Sequence, residues 1–300
     1  MFNLRQLKAF VTVAEQGSFT RAAKLLYMTQ PAISAQIKSL EERLEIKLLE
    51  RQDKSVLLTE AGEMLLVEAG KILTLYEEFV DAIDDLKGIR RGRVVIGAST
   101  IPGEYILPQL IGSFKKIHPK VEVVLKIADT SSIIDLIMKR NIDFGIIGAQ
   151  VKVEKLLLQP VLKDNLILIA GNQHPLSKMN QVSVNDIARA EFILREPGSG
   201  TRMVIEQMLN EKNMRISDMN MIMELGSTRA VITAVEAGLG ISLVSRLAAD
   251  EALRLQLVKE LHVDSWQIDR NLFLGRNESR YLSHAAQSFI DHILNQAKEE

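Results

Sequence analysis

The stretch of sequence that most constrains the fold runs from Thr29 to Leu44. It begins with a threonine that can cap a helix, followed by a proline in the first turn, where proline is tolerated. Its apolar residues are spaced by four, three and four positions, one stripe of a 3.6-residue period: Ile33, Ile37, Leu40 and Leu44. The spacing therefore predicts a helix over residues 30–44 that buries one narrow face.

The opposite face of this predicted helix carries small and polar residues. A rotation of about 100° per residue places there Pro31, Ser34, Ala35 and Lys38. Such a face suits the major groove of DNA, because serine and lysine can bond base edges or phosphates while alanine and proline can contact a thymine methyl. The alternative is an ordinary surface helix of a helical domain, and the flanking segments are needed to decide between the two.

The residues before this helix predict two further helices. Residues 2–16 end at Gly17, a residue typical of the position after a helix, and carry the apolar stripe Leu4, Leu7, Phe10, Val11 and Ala14. Ser18 can cap a short helix over residues 18–26, and Tyr27-Met28 then form a tight turn. A short helix, a tight turn and a longer capped helix are the layout of a helix-turn-helix motif.

Residues 47–58 predict a short hairpin directly after the motif. Two strand-like runs, residues 47–51 and 55–58, flank a polar turn, and Arg51 and Lys54 lie near its tip. Cations at the tip of such a wing typically contact phosphates or the minor groove. The alternative is a hairpin whose cations are simply solvated.

A long helical pattern follows over residues 59–88, with Thr59 as its cap and Glu60 and Glu63 at its positive end. Its apolar residues form a heptad seam of about three repeats: Leu65, Ala69, Ile72, Tyr76, Phe79, Ile83 and Leu86. A helix of about 40 Å must bury such a seam, and we expect a twin helix from a second subunit to cover it. The alternative is burial against its own domain.

Beyond a hinge-like junction at residues 88–93, strands and helices alternate. Strands are predicted at residues 94–97, 121–127, 144–147, 166–170, 192–194, 221–223, 241–244 and 272–274. Helices are predicted at residues 105–117, 132–140, 201–212 and 228–237, and from residue 282. Buried parallel strands with crossover helices predict an α/β architecture for this part of the chain.

Polar residues follow several of these strands, at the edge where open α/β units bind ligands. Ser99-Thr100 follow the first strand, Asp129 to Ser132 the second and Gly148 the third. Residues 197–202 form a glycine-rich turn that opens a helix, and its N–H groups with Thr201 and Arg202 would suit a sulfate, phosphate or carboxylate. The alternative is that the hydroxyls are helix caps and that Arg202 is solvated.

Four short motifs in the first 62 residues resemble the amino-terminal signature of LysR-type transcriptional regulators. They are Gly17-Ser18-Phe19-Thr20-Arg21-Ala22-Ala23, Thr29-Gln30-Pro31-Ala32-Ile33-Ser34, Leu40-Glu41-Glu42-Arg43-Leu44 and Leu58-Thr59-Glu60-Ala61-Gly62. The resemblance is close over residues 1–90, and the length and later pattern fit the family over all 300 residues. It departs at Leu49, where the family usually has phenylalanine.

The resemblance implies a multidomain chain with an α part and an α/β part. It implies a winged helix-turn-helix DNA-binding domain at residues 1–58, a dimerisation helix at residues 59–88 and an effector-binding domain at residues 89–300. The last would have the two lobes of a periplasmic-binding-protein-like fold, about residues 93–161 with 269–300 and about residues 162–268.

The resemblance also implies partners and site residues. We expect contacts to an inverted-repeat DNA operator from Ser18, Thr20, Thr29, Gln30, Pro31, Ser34, Ala35, Lys38, Arg51 and Lys54. The family's effector pocket lies between the lobes, and the matching positions here are Ser99, Thr100, Ser131, Gly148, Thr201 and Arg202. We expect a small anionic metabolite there, a dimer that assembles to a tetramer, and RNA polymerase as a further partner.

Composition bears on the other classes of protein. The chain has no cysteine, which excludes disulfides and thiolate sites. Its net charge of −1 does not indicate nucleic-acid binding, and residues 1–60 carry nine Lys/Arg against seven Asp/Glu. A DNA-binding function must therefore rest on the placement of charges rather than on their sum.

An enzyme and a solute-binding protein are the competing classes. The histidines are scattered along the chain, the turn at residues 196–202 lacks the lysine and spacing of a P-loop, and Gly238-Leu239-Gly240 precedes a strand rather than a helix. We therefore predict no enzyme, no cofactor and no metal. The amino-terminal domain argues against a solute-binding protein. Because the first residues lack a signal peptide's apolar core and no apolar run suits a membrane span, we expect a cytoplasmic protein without membrane partners.

Overall fold

The computed structural model describes residues 2–52, 55–86, 92–263 and 268–297. The chain divides into two compact units, Met1–Gly88 and Ile89–Glu300. The predicted fold class is confirmed in both: the first unit is a winged helix-turn-helix domain with a long helix, and the second is a two-lobed α/β domain. The junction expected at residues 88–93 lies mostly outside the described residues.

The first unit contains four helices and one hairpin among its described residues. In chain order they are α1 (Leu4–Gln16), α2 (Phe19–Leu25), α3 (Gln30–Leu44), β1 (Leu49–Gln52), β2 (Ser55–Leu58) and α4 (Glu60–Leu86). The strands pair antiparallel, with Leu49 opposite Leu58. Gly17, which follows α1, has a left-handed φ of +57°, a conformation that glycine adopts without strain.

The amino-terminal helix differs from its prediction in two respects. It begins at Leu4 rather than at residue 2, because the Asn3 side chain accepts the Gln6 N–H and Gln6 returns a bond to the Asn3 N–H. Its buried residues are Gln6, Leu7, Ala9, Phe10 and Val13, whereas the predicted Val11 and Ala14 are only half-buried. The buried stripe is thus rotated slightly toward α3, where Gln6 Nε2 donates to Ser39 Oγ at 3.0 Å.

The second unit is built on one mixed sheet. Its first strands and helices are β3 (Arg93–Ser99), α5 (Leu107–Ile117), β4 (Glu122–Ala128), α6 (Thr130–Met138), β5 (Phe144–Ile147) and β6 (Leu156–Gly171). Its middle contains α7 (Val184–Arg189), β7 (Phe192–Arg195), α8 (Gly200–Glu211), β8 (Met221–Leu225) and α9 (Thr228–Glu236). It closes with β9 (Ile241–Ser245), α10 (Arg246–Arg254), β10 (Val258–Leu261), β11 (Ile268–Asn277) and α11 (His284–Gln296).

Three short helical segments complete the described part of this unit. A π-helical turn at Pro102–Ile106 precedes α5, so the helix predicted from residue 105 begins regularly at Leu107. Single 3₁₀ turns lie at Pro175–Lys178 and Ile216–Asp218. The sequence prediction also missed α7, α10 and β10, which are short and lie in lobe II.

Two long strands join the lobes of the second unit. The strand order is β4-β3-β5-β11-β6-β9-β7-β8, and β10 pairs with β6. Strands β6 and β11 are 16 and 10 residues long and run antiparallel through both lobes. The prediction of parallel strands therefore holds for β3 with β4 and β5 and for β7 with β8 and β9, but it is wrong at the sheet's centre.

Each lobe has its own apolar core. One cluster in lobe I joins β3, α5, β5 and α11, with Phe114, Phe144 and Phe289 fully buried. A cluster in lobe II joins β6, β7, α8 and β9 around Phe192 and Leu209. Strands β6 and β11 run through both lobes and connect them, and Ile101 of lobe I also packs into a further apolar cluster of lobe II. Polar residues from both lobes define the cavity between the lobes.

Candidate functional site

The α3 helix presents the predicted contact face to solvent. Ile33, Ile37 and Leu40 are buried, whereas Gln30, Pro31, Ala35 and Lys38 are exposed and Ser34 is half-buried. Lys38 Nζ lies 3.7 Å from Glu42 Oε1, but three quarters of its side chain is accessible. An ion pair this exposed contributes little, so the ammonium group is available for another anion.

Two of the predicted contact residues are helix caps. Ser18 Oγ accepts the Arg21 N–H at 3.3 Å and Thr29 Oγ1 accepts the Ala32 N–H at 3.4 Å. These caps fix the starts of α2 and α3, and thereby orient the exposed face. Thr20 is exposed on α2. The backbone of Arg51 lies in β1, but its side chain and all of Lys54 lie outside the described residues.

A buried carboxylate that sequence reasoning did not single out ties the wing to α3. Glu41 Oε1 accepts the N–H groups of Leu48 and Leu49 at 2.9 and 3.2 Å, and its Oε2 accepts from Lys47 Nζ at 2.9 Å. Burial alone would raise the pKa of Glu41, but these hydrogen bonds outweigh it and hold the pKa below the ordinary value of 4.5. The start of β1 is therefore anchored directly to α3.

The long helix α4 does not present the whole predicted seam. Ala69 is fully buried in the core of its own unit and Leu65 packs against that core, so the first half of the seam is wrong as a surface for a second subunit. Ile72, Tyr76 and Phe79 are exposed, Phe79 by 62%. Ile83 is half-buried, and the side chain of Leu86 lies outside the described part.

The exposed apolar side chains of α4 form a different and wider surface. Among the α4 residues whose side chains the structure describes, they are Met64, Val67, Ile72, Leu75, Tyr76, Phe79 and Val80. The exposed surface differs from the predicted seam because the first turns of α4 pack onto α1 and the wing. This packing buries the face that contains Leu65 and Ala69. Exposed apolar surface of this extent usually marks an interface.

In the second unit, a small polar cavity lies where the lobes meet. Six separate segments line it: Ser99, Thr100 and Ile101; Asp129 and Thr130; Gly148; Arg195; Ser199, Gly200 and Thr201; and Arg270. Its volume is about 10 Å³, the room of roughly one water molecule. In this conformation the lobes are therefore closed around the site.

Two buried guanidinium groups dominate the chemistry of the cavity. Arg270 pairs with Asp164, its direct partner in the β6–β11 ladder, at 2.9 Å from Nε and 2.7 Å from Nη2. Its Nη1 reaches the Gly148 carbonyl at 3.3 Å and Thr201 Oγ1 at 3.2 Å. Burial lowers the pKa of Arg270, an effect that the Asp164 carboxylate opposes. One side chain thus contacts both crossing strands and residues of both lobes.

The second guanidinium also joins the lobes. Arg195 Nη1 donates to Thr228 Oγ1 at 2.6 Å in lobe II, and Nη2 approaches Thr100 Oγ1 at 3.4 Å in lobe I. The Glu196 carboxylate accepts two hydrogen bonds from Arg195, from Nε at 2.7 Å and from Nη2 at 2.6 Å. Each cation of the cavity is therefore already paired with a carboxylate.

The loop after Arg195 approaches lobe I very closely. Gly198 has a φ of +92° and the Ser199 N–H donates to the Glu196 carbonyl, which is a type II turn with Pro197 and Gly198 at its centre. A Cβ on Gly200 would lie 2.6 Å from Thr130 Oγ1 and 3.1 Å from the Gly148 carbonyl carbon. Only glycine fits there while the lobes are closed.

One hydroxyl in the cavity has no hydrogen-bond partner in the described part of the chain. Thr130 is fully buried at the start of α6, and its Oγ1 makes no bond there. Ser199 is buried at the start of α8, and its side chain makes no capping bond. A buried hydroxyl without a partner is costly, so Thr130 Oγ1 is the polar atom of the cavity lining whose hydrogen bonding is unmet among the described residues.

The cavity includes four of the six predicted effector residues, and two lie elsewhere. Ser99, Thr100, Gly148 and Thr201 line it. Ser131 is exposed and its N–H donates to the Gly198 carbonyl at 3.2 Å. Arg202 turns away: its Nε lies 2.9 Å from Glu206 Oε1 and its Nη1 2.6 Å from Glu224 Oε2, so its assignment to the cavity is wrong in this structure.

Arg195 and Arg270 are the two cationic cavity residues that sequence reasoning missed, and Ile101 was not predicted either. Arg195 is the last residue of β7 and directly follows the predicted strand at residues 192–194, so the rule that ligands bind at the carboxyl ends of strands would have selected it. Arg270 gives no such signal, because it lies within a strand and becomes a lining residue only through the pairing of β11 with β6.

Among the described residues, no group of three or more His, Cys, Asp or Glu side chains is placed to hold a metal ion. Over the same part of the chain, every helix is too short or too polar to cross a bilayer.

Comparison with known protein families gives a match for each of the two units. Residues 4–63 match the family described as "Bacterial regulatory helix-turn-helix protein, lysR family", and residues 87–298 match "LysR substrate binding domain". The chain is 37% identical over 297 residues to a probable RuBisCO transcriptional regulator of Cyanidioschyzon merolae, covering 98% of each chain.

Solved structures of similar proteins share the fold of this chain. The chain resembles the CcmR regulatory domain of Synechocystis PCC6803 in complex with 2-PG at 27% identity and a TM-score of 0.64, covering 69% of this chain and 98% of that one. Full-length CbnR in complex with its target DNA has a similar fold, with a TM-score of 0.71 at 22% identity over 99% and 100% of the two chains. This chain therefore belongs to the LysR family of transcriptional regulators, and it is a regulator rather than an enzyme.

Proposed function

We propose that this regulator binds an inverted-repeat operator and that a small anionic metabolite, bound between the lobes, changes its oligomeric arrangement on DNA. The observation that carries the proposal is that one chain combines an exposed, capped α3 face beside a wing with an enclosed cavity of hydroxyls and guanidinium groups. A regulator of this kind would work in the cytoplasm. The proposed domain limits are residues 1–58, 59–88 and 89–300.

The proposed DNA contacts follow from exposure. Gln30, Pro31, Ser34, Ala35 and Lys38 would meet base edges from α3, while the exposed Thr20 and the wing cations Arg51 and Lys54 would meet the backbone. Ser18 and Thr29 would act mainly by capping their helices. CbnR, which has the same fold, was solved with its target DNA, and this supports double-stranded DNA as the partner here.

An anionic effector follows from the lining of the cavity. Hydroxyls, the first turns of α6 and α8 and two guanidinium groups all offer hydrogen-bond donors to one small space. The regulatory domain of CcmR was solved with 2-PG, which supports a small ligand for this unit. Because the cavity holds only about one water molecule, a metabolite would bind with the lobes farther apart than they are here.

The proposed oligomer rests on α4. Two copies that cover the exposed apolar surface from Met64 to Val80 would bring two α3 helices onto one operator. Ile72, Tyr76 and Phe79 of the predicted seam belong to this surface, and we place the dimer contact there. Assembly of dimers into a tetramer and contact with RNA polymerase are parts of the same proposal.

Substitution of Lys38 tests the DNA-binding part. Lys38→Ala should weaken operator binding by about 1–3 kcal/mol if the ammonium group contacts a base, measured by gel shift and footprinting on the region upstream of the chain's own gene. Arg254→Ala is the matched control, because Arg254 also pairs with an acidic residue four positions away on an exposed helix face, in the second unit. The binding of the wild type should fall steeply with salt. Unchanged affinity and sequence preference in Lys38→Ala would remove Lys38 from the site.

The effector part is tested on the same DNA. Footprints of the wild type with and without a panel of small anions, 2-PG included, should differ in extent or in DNase-sensitive positions for at least one of them. Neutral analogues should leave the footprint unchanged. A footprint that responds only to a neutral metabolite would contradict an anionic effector and leave DNA binding intact.

A further inference from the structure

The two ion pairs at the cavity differ in how firmly their carboxylates are held. Asp164 is fully buried, its pair with Arg270 is almost inaccessible, and its second oxygen accepts from Ser245 Oγ at 2.7 Å. Glu196 makes two bonds to Arg195, but a quarter of its side chain is exposed. Glu196 does not line the cavity, whereas Arg195 does. Of these two paired carboxylates, only that of Glu196 is accessible to solvent.

This difference matters as soon as an anion enters. Both guanidinium groups are already neutralised, so a bound anion adds uncompensated negative charge next to these two carboxylates and to that of Asp129, which lines the cavity itself. One rearrangement of the ion pairs can relieve this excess negative charge at a low cost in free energy. Glu196 can release Arg195 and become hydrated, which leaves that guanidinium for the ligand, whereas release of Arg270 by Asp164 would strand a fully buried carboxylate.

We propose that Glu196 is an internal competitor of the effector: a tetrahedral oxyanion head group of the sulfate or phosphate type binds Arg195 by displacing the Glu196 carboxylate. The inference rests on the proposed function, since it concerns the same cavity. The inference adds the chemical class of the effector's head group. It also adds Glu196, which lies outside the cavity lining, as a residue that sets the affinity for the effector.

The class of head group follows from the number of donors. Each guanidinium has five N–H groups. Four of those on Arg270 are used, so one remains. Arg195 keeps its bonds to Thr228 and Thr100 when Glu196 is displaced, so three of its N–H groups become available. The hydroxyls of Ser99, Thr130 and Ser199 add three more. A carboxylate has only about four lone-pair sites, so a head group with more oxygen acceptors satisfies this set better.

The lining also limits what is attached to the head group. Ile101 is the apolar residue among those that line the cavity, so it offers almost no surface for an aromatic or aliphatic body. The head group can come from a free inorganic oxyanion or from a phosphorylated small metabolite whose remainder points out of the cavity. Both present the same oxygens to Arg195, Thr130 and Ser199.

Isothermal titration of the full-length chain with sodium sulfate tests the competition. Glu196→Gln keeps the shape of the side chain but removes its charge, and it should bind sulfate about tenfold more tightly than the wild type, because one like charge next to the ligand is gone. Glu196→Ala should also bind more tightly. Glu224→Gln is the matched control: it breaks an ion pair to Arg202 in the same lobe, outside the cavity, and should leave sulfate affinity unchanged.

Titrations with other anions test the class of the head group and the kind of molecule that carries it. Acetate should bind more weakly than sulfate to the wild type and to Glu196→Gln. Equal affinity for methyl phosphate and inorganic phosphate identifies a phosphorylated metabolite as the source, and binding of the inorganic ions alone identifies a free oxyanion. Either result supports the shared chemistry.

Two results would overturn the proposal. Sulfate affinity in Glu196→Gln that equals or falls below the wild-type value would show that Glu196 does not compete. Preference for acetate over sulfate and both phosphates would remove the tetrahedral head group. In both cases the gel shift and footprint of the wild type still report on the proposed regulatory function independently, because they require neither Glu196 nor an oxyanion.

Discussion

The DNA-facing surface and the effector cavity of this chain are built in opposite ways. On the first unit, the candidate contacts of α3 lie on one helix and point into solvent, while the opposite face of that helix fills the core. In the second unit, six distant segments meet at the cavity and most of their polar side chains are buried. The first site depends on a local pattern, and the second depends on the tertiary fold.

The difference predicts how each region responds to substitution. Polar residues on the α3 face make few bonds within the unit, so their replacement should alter DNA binding and leave folding nearly unchanged. Polar residues around the cavity hold each other in place, so their replacement should alter the stability of the second unit as well as ligand binding.

Removal of the buried carboxylate should give the largest effect. Asp164→Ala would leave the Arg270 guanidinium, only 4% exposed, without its partner and should destabilise the protein by about 3–5 kcal/mol. The loss can be measured by urea unfolding of the full-length chain. Glu224→Ala removes a partner of the more accessible Arg202 and should cost less than about 1 kcal/mol. Similar losses in the two variants would contradict the contrast between the buried and the exposed pair.

The two halves of α4 should respond next most strongly, and differently from each other. Ala69→Asp would bury a charge in the core of the first unit and should cost about 3 kcal/mol or more in the free energy of unfolding. Phe79→Asp changes an exposed residue, so the monomer should stay folded while the proposed dimer dissociates. Unfolding curves and light scattering separate the two. A stable dimer in Phe79→Asp would move the interface away from this part of α4.

The helix-turn-helix region shows how much of this chain its sequence can predict. The bounds of α3, its N-cap Thr29 and the wing follow from apolar spacing and residues with strong local preferences, whereas its left-handed C-cap at Glu45 was not predicted. The buried half of α4 could not be predicted in this way. A heptad pattern shows which residues share a face, but the same face can meet another subunit in one turn and its own domain in another, as Ala69 and Phe79 show.

The cavity shows the same limit more strongly. Residues that follow strands, such as Ser99, Thr100 and Gly148, were predictable because the ends of parallel strands share one edge. The same rule would have selected Arg195, but the exclusion of Arg202 was not predictable, since it depends on the ion pairs that Arg202 makes with Glu206 and Glu224. Arg270 was the least accessible to prediction, because its role depends on the register of an antiparallel pair more than a hundred residues apart in sequence.

Loss of the Glu41 charge should have a smaller effect that depends on pH. Glu41→Gln should destabilise the first unit by about 1.5 kcal/mol near neutral pH, because three hydrogen bonds to a carboxylate are weakened. Since the folded state lowers the pKa of Glu41 below 4.5, its contribution is present above that pH and is lost as the pH falls through the folded-state pKa. Thermal unfolding at pH 7 and below pH 4 should therefore show the two proteins converging in acid. A constant difference would mean that the charge of Glu41 is not what anchors the wing.

The smallest predicted effect has the opposite sign and tests whether the cavity is built for a ligand. Thr130→Val replaces a buried hydroxyl that has no partner in the described structure by a methyl group of similar size, so the ligand-free protein should gain about 1 kcal/mol in stability. Thr228→Val is the control, because its hydroxyl accepts from Arg195 and its loss should destabilise by a similar amount. Sulfate should stabilise Thr130→Val less than it stabilises the wild type, as measured by thermal unfolding at increasing sulfate concentration. Destabilisation of Thr130→Val in the absence of any anion would show that its hydroxyl serves the fold rather than a ligand.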